Sequence, residues 1–410
     1  MNLEIDRERL SREIEELARI SDAKAPAVTR IVFTPTDLKA RAWMISRCEE
    51  AGLVVRQDPI GNIFARWNGS DATAVGTGSH IDAIPNAGKY DGVVGVLGGL
   101  EAIRALQRNG FRPKHSIELL VFTSEEPTRF GIGCLGSRLL SGTLSAEAAR
   151  KLTDKDGAPL EEVRRKARLE GALENVKLPN GYFKAFVELH IEQGPLLERQ
   201  NIPLGVVTSL AAPASLRITI EGAGGHAGAV LMPDRRDALC AAAELILAIE
   251  NAARMTEAID TVATVGICEV FPGAVNSIPS RVLLSVDIRD THLERRDDVV
   301  REIENARDAI AVKRQVSIEE KLLNADAPTE CAPEIIDALS QSCAKHGEKF
   351  MPMVSRAYHD SLFMSRITPA AMLFIPCRKG YSHRPDEFAF PDDISRGALI
   401  LAETLARLAE

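Results

Sequence analysis

TAVGTGSHIDAIPNAGKYDGVVGVLGGLEAIRALQRNGFRPKHSIELLVF, residues 73–122, decides the fold class. It opens with a small-residue and β-branched run, 73–80, that ends in Ser79-His80. A polar, Gly/Pro-containing loop follows. Residues 91–110 then place apolar side chains at helical spacing, with Asp91 expected as the helix N-cap and Gly110 just past the end. SIELLVF, 116–122, is short, apolar and β-branched on both sides, as a strand buried on both faces must be. Strand, helix, strand implies a parallel pair joined by a crossover. KAFVELH, 184–190, is expected to add another strand, so the class is α/β: a mixed, mostly parallel sheet with helices on both faces.

Downstream the pattern changes. SLRITIEG (215–222), DTVATVGICEV (260–270), SRVLLSVDIRD (280–290) and QVSIEE (315–320) alternate or run as strands. Residues 233–254 and 293–312 carry helical periodicity. The order β-α-β-β-α-β is that of a ferredoxin-like unit. PAAMLFIPC, 369–377, then resumes the first pattern. The expected division is therefore residues 1–211 with 326–410 as one domain, and 212–325 as an inserted one.

Composition narrows the function classes. The chain has 410 residues, with 50 Lys and Arg against 58 Asp and Glu, a net charge of −8. That balance argues against a nucleic-acid partner, which calls for a basic stripe. No apolar run approaches the ~20 residues that cross a bilayer. The first twenty residues lack the apolar core of a signal peptide and are read as an amphipathic surface helix. The seven cysteines are scattered, without a C-x-x-C pair, which is the usage of reduced thiols in the cytoplasm.

Four segments carry chemistry: SHIDAIPNAGKYDG (79–92), FTSEEPTRFG (122–131), ELHIEQGP (188–195) and GYSHRPDE (380–387). Each lies at or just past an expected strand end or in a loop. In open α/β sheets, ligands gather outside the carboxyl ends of the strands, so residues far apart in sequence converge there. Imidazoles and carboxylates together suit Zn, Mn, Co or Ni, and a carboxylate can bridge two cations in a hydrolytic site. In Glu125-Glu126, neighbouring side chains point different ways. One can bind metal while the other acts as general base. Asp82, two residues after His80, suits a group that orients the imidazole. Each signal alone has a plainer explanation: a lone histidine packs or faces solvent, and Asp91 caps a helix. His115, His292 and His346 are read as surface residues.

Six long segments (76–103, 122–140, 188–195, 224–238, 355–364 and 374–387) resemble the two-metal amidohydrolases. That group includes N-carbamoyl-L-amino-acid hydrolases, allantoate amidohydrolases and ureidoglycolate amidohydrolases, and the segments are most similar to the last. The resemblance implies a metal-dependent aminopeptidase-like catalytic domain with an inserted lid and dimerisation domain, acting as a homodimer. It implies two divalent metal ions per subunit, manganese first, with zinc, cobalt or nickel as alternatives. Their ligands would be His80, Asp91, Glu126, His190 and His383, with Asp91 bridging and Glu125 as general base. Gln193, His226, Asn276, Arg289, Tyr358 and His359 would meet the substrate. Arg289 would clamp its carboxylate, His226 and Asn276 would face the carbonyl under attack, and Gln193 would face the ureido end. Arg289 could instead pair with Asp287 or Asp290, and Asn276 could be a turn residue. The implied reaction converts (S)-ureidoglycolate to glyoxylate, ammonia and carbon dioxide in purine catabolism. The alternatives are hydrolysis of allantoate or of an N-carbamoyl-L-amino acid.

Overall fold

The computed structural model describes residues 3–410. The first two residues of the amphipathic N-terminal stretch lie outside them. The rest of that stretch forms the helix Arg7–Ala18, capped by the Asp6 carboxylate and burying Leu10, Ile14 and Leu17. The chain divides into two compact units. One runs to Thr208 and resumes over Glu330–Ser355 and His359–Glu410; the other comprises Ser209–Thr329 and Arg356–Tyr358.

The first unit is built on a mixed sheet. Its centre is four parallel strands in the spatial order Ala370–Ile375, Phe183–Ile191, Ala74–His80, Ser116–Phe122. Ile63–Trp67 and then Val54–Gln57 extend one side antiparallel, and Leu204–Leu210 lies antiparallel on the other. Every residue of the strands ending at His80 and Phe122 is buried, and apart from Glu118 and His80 all are apolar or small. Alternation sends Leu120 and Phe122 into one core with Phe186, Leu135 and Leu139. Leu119 faces the other way, towards the helix Val93–Arg108. That helix packs on the central strands together with Pro391–Ala409.

Val93–Arg108 does not begin as its sequence suggests. The cap position is Gly92, at φ 66°, and no side chain caps the helix. Asp91 is one residue too early, and its carboxylate turns to the histidines instead. Gly95 lets the helix settle on the sheet, since a Cβ there would stand 2.3 Å from the Leu189 carbonyl oxygen.

The second unit holds a four-stranded antiparallel sheet in the order Val262–Phe271, Arg281–Asp290, Ala212–Glu221, Ser317–Ala325. In chain order that is second, third, first, fourth, the ferredoxin-like arrangement. Ala238–Arg254, capped by Asp237, and Leu293–Arg314 cover one face. They bury Leu216, Ile218, Ile220, Val282, Leu284 and Val286. No helix among the described residues is long and apolar enough to cross a membrane. All seven cysteines are unpaired.

Candidate active site

The four central strands of the first unit end together, and each delivers a donor. His80 closes its strand, and His190 is the penultimate residue of Phe183–Ile191. Glu125 and Glu126 follow Phe122, and His383 lies in the loop beyond Ile375. Asp91 stands among them. Its Oδ1 is 3.6 Å from His80 Nε2 and 3.2 Å from His190 Nε2. Its Oδ2 is 3.4 Å from His383 Nε2, which is itself 3.1 Å from Glu126 Oε1. Two donor triads therefore share one carboxylate: His80–Asp91–His190 and Asp91–Glu126–His383.

The donors are aimed before any cation arrives. His80 Nδ1–H donates to the Asp82 carbonyl at 3.0 Å, and His190 Nδ1–H to the Ile191 carbonyl at 2.9 Å. Each bond fixes the tautomer that leaves the Nε2 lone pair on the Asp91 side, where that of His190 accepts the Gly92 amide at 3.0 Å. Burial would lower the His80 pKa, yet Glu125, Asp91 and Asp82 hold it well above the ordinary imidazole value. So much negative charge in a buried space demands a positive partner, and a divalent cation competes with the proton for it. The donor set, its shared carboxylate and its oriented Nε2 atoms fit a pair of divalent cations. The five donors, with Glu125 and Asp82, all come from chain segments that the sequence singled out, and two readings among them need correction. Asp91 is no helix cap. Asp82 holds the His80 ring through its carbonyl, while its carboxylate accepts from the Glu125 and Glu126 amides at 3.3 and 3.1 Å.

Glu125 lies beside the triads, with Oε2 3.7 Å from His80 Nε2. Burial, opposed by His80 and reinforced by Glu126, Asp360 and Asp82, pushes its carboxyl well above the usual range. Behind it, Cys134 donates its thiol to Oε1 at 3.5 Å. Gln193 sits at φ 56° and donates to Asp91 Oδ2 at 2.7 Å; its buried Oε1 accepts no hydrogen bond from the described residues. His359 is buried, its ring centroid 4.5 Å from that of His190.

The remaining expected residues belong to the second unit. Asn276 accepts the Ala227 amide on its carbonyl, next to His226, and both side chains are exposed. The Gly228 amide donates to His226 Nδ1 at 3.1 Å, so the ring proton is on Nε2. Arg289 pairs with Asp287, Nε to Oδ1 at 2.6 Å, rather than with Asp290, which Arg295 engages. The Arg289 guanidinium also lies over the Tyr358 ring at 5.2 Å.

Sequence reasoning passed over several residues. Glu387 accepts both the Tyr90 and Asp91 amides on Oε1 and the Ser382 hydroxyl on Oε2, so it fixes the backbone of the shared aspartate. The same Ser382 oxygen lies 2.5 Å from Asp91 Oδ2, so its one proton is shared between the two carboxylates. Ser79 and Ser361 hold Glu188, and Ser137 holds Asp360, whose carboxyl burial and Glu188 push up to about 8. Ser382 and Glu387 lay inside a quoted motif, GYSHRPDE. Nothing local marked Asp360.

This fold belongs to a known class. Residues 76–407 match the model of peptidase family M20/M25/M40, and the chain belongs to that family. It is a metal-dependent hydrolase of carbon–nitrogen bonds acting on a small molecule. Among particular relatives, ureidoglycolate hydrolase of Arabidopsis thaliana is 50% identical over 416 residues, spanning 99% of this chain and 87% of that one. An N-carbamoyl-L-amino acid amidohydrolase of Geobacillus stearothermophilus is 38% identical, spanning 99% of each. The crystal structure of AtUAH in complex with glyoxylate superposes with a TM-score of 0.94 at 50% identity, covering 99% of this chain and 98% of that one.

Proposed function

We propose that this chain hydrolyses (S)-ureidoglycolate, with two divalent cations, manganese first, held by His80, Asp91, His190, Glu126 and His383. The observation that carries this is the Asp91 carboxylate facing one donor pair with each oxygen, with Glu125 alongside. The 50% identity to a ureidoglycolate hydrolase supports the substrate. So do similar structures in complex with glyoxylate and with (S)-hydroxyglycine.

Bound there, the cations supply Lewis-acid polarisation of the ureido carbonyl and acidify the attacking water. Glu125 takes the water's proton and passes it to the departing nitrogen. Water adds to the ureido carbon and a C–N bond breaks. Ammonia leaves; the carbamate left behind loses carbon dioxide as its remaining C–N bond to that carbon breaks, and the hydroxyglycine so formed loses a second ammonia to give glyoxylate. Asp82 keeps Glu125 and Glu126 in place through their amides. The open Gln193 Oε1 accepts from the ureido NH2. His226, whose proton is on Nε2, and Asn276 donate to the oxygen as it gains charge. Arg289 offers the substrate carboxylate a planar fork, which lysine cannot reproduce. Tyr358, over Arg289, and His359 line the site. The second unit serves as lid and dimerisation domain of a homodimer, and unpaired cysteines suit the cytoplasm.

The test is a substrate panel on full-length protein stripped of metal and reloaded with manganese, reading ammonia and glyoxylate. The expected result is fastest turnover of (S)-ureidoglycolate with both products formed. Preference for allantoate or an N-carbamoyl-L-amino acid would overturn the substrate and leave the hydrolytic site standing.

A further inference from the structure

Residues before 76 lie outside the family match, yet they reach the loop that carries His80, Asp82 and Asp91. The strand Val28–Arg30 pairs antiparallel with Ala83–Ala87, Val28 opposite Ala87 and Arg30 opposite Ala83. Thr29 Oγ1 accepts the Asn86 amide at 2.8 Å, and Lys89 meets Glu15 of the first helix. Arg30 is the centre of this contact. Its side chain is 1% exposed, and its three hydrogen bonds all go to backbone carbonyls. Nε reaches Ile20 at 3.0 Å and Nη2 reaches Leu17 at 2.7 Å, both at the end of the first helix. Nη1 reaches Ile81 at 2.5 Å, the residue between His80 and Asp82.

A fully buried guanidinium without a carboxylate hydrogen-bond partner is costly to desolvate. Plain packing would be served better by an apolar residue. Only arginine's rigid fork spans three carbonyls at once, and two of these lie where a helix end favours a cation. The third ties that end to the Ile81–Asp82 peptide, next to the Asp82 carbonyl that holds the His80 ring and the Asp82 carboxylate that accepts the Glu125 and Glu126 amides.

We infer that Arg30 is a positioning residue: it clamps the His80–Asp82 peptide to the N-terminal helix and so presets the His80–Asp91–His190 half of the metal centre. The inference rests on the metal-site reading above. Loss of such outer groups from metal centres typically weakens metal binding about 10–100-fold.

The experiment is Mn2+ titration of EDTA-stripped full-length wild type, Arg30→Met, Arg30→Lys and Thr29→Val, with free Mn2+ and spin-coupled Mn2+ pairs read by electron paramagnetic resonance. The expected result is at least about tenfold weaker binding of one of the two ions to Arg30→Met. The spin-coupled signal should be lost at two equivalents, partly recovered in Arg30→Lys, and binding should be weakened to a lesser degree in Thr29→Val. A folded Arg30→Met that binds both ions as wild type does overturns the clamp. If Arg30→Met does not fold, wild-type affinity in both Arg30→Lys and Thr29→Val overturns it. Absence of Mn2+ binding by the wild type itself sinks the metal-site reading and takes the clamp with it.

Discussion

The residues proposed to hold metal in the first unit and those proposed to meet substrate in the second are held in opposite ways. His80, Asp91 and His190 are buried, and each is fixed by a hydrogen bond of its own: the rings to the Asp82 and Ile191 carbonyls, the Asp91 amide to the Glu387 carboxylate. His226 and Asn276 are exposed, on a two-residue strand pair and a turn. The difference follows from what each must do. Cation donors must be deprotonated, converged and aimed at once, which only a rigid sheet end with a second layer of hydrogen bonds provides. Groups that meet a passing substrate must stay accessible until it arrives.

Breaking the rigid side should have the largest effect. Glu125→Gln removes the base and keeps the volume, so turnover should fall by roughly 10²–10⁴-fold. Bound manganese, measured by elemental analysis, should stay at two equivalents. Asp91→Ala should abolish both turnover and metal retention, because both triads share that residue. If Glu125→Gln lost its metal, or Asp91→Ala kept both ions, the division between base and bridge would be wrong.

On the exposed side, effects should be large on rate but absent from metal content. His226→Ala removes a donor to developing negative charge, so kcat should fall by roughly 10²–10³-fold with manganese stoichiometry unchanged. Arg289→Lys keeps the charge and loses the fork. A charge-assisted hydrogen bond is worth about 1.5–3 kcal/mol, so kcat/KM should fall by roughly 10–100-fold, chiefly through KM. A change in metal content in either variant would erase the contrast between the two regions.

How much of this was legible in the sequence divides along the same line. The strands ending at His80, Phe122 and Ile191, and the β-α-β-β-α-β order, were readable because period and composition are local properties. The convergence of the proposed donors was readable because strand ends are where an α/β sheet collects ligand-binding groups. Asp91 was misread as a cap, since only Gly92, at φ 66°, lets the chain turn so that the helix starts one residue later. A Cβ there would also stand 2.5 Å from His80 Nε2. Arg30 carried no signal, and nothing told Glu387 or Asp360 apart within the segments that hold them, because partners of the three lie 51, 296 and 223 residues away. Long-range polar contacts of this kind have no periodicity to betray them.

The smallest expected effect concerns stability against pH, where the two units should differ in sign. In the first unit, burial pushes the Asp58 carboxyl up to about 6, against hydrogen bonds from Asn62 and Ile60. Its folded pKa lies above the unfolded value near 3.9, so its stabilising contribution is complete below about pH 4 and is lost as pH rises towards 6. In the second unit, burial of Asp290 is outweighed by Arg295, Thr261 and the His292 amide, which lower its pKa. Its contribution is present above pH 4 and is lost as pH falls below it. Peptide-level hydrogen exchange, corrected for intrinsic rate, should therefore show protection around residues 58–62 decreasing between pH 4.5 and 6.5, by at most roughly 3 kcal/mol. Protection around Thr261 and Arg295 should stay flat over that interval. Asp58→Asn should flatten the first slope without touching the second, and parallel slopes in both regions would show that neither carboxyl governs its surroundings.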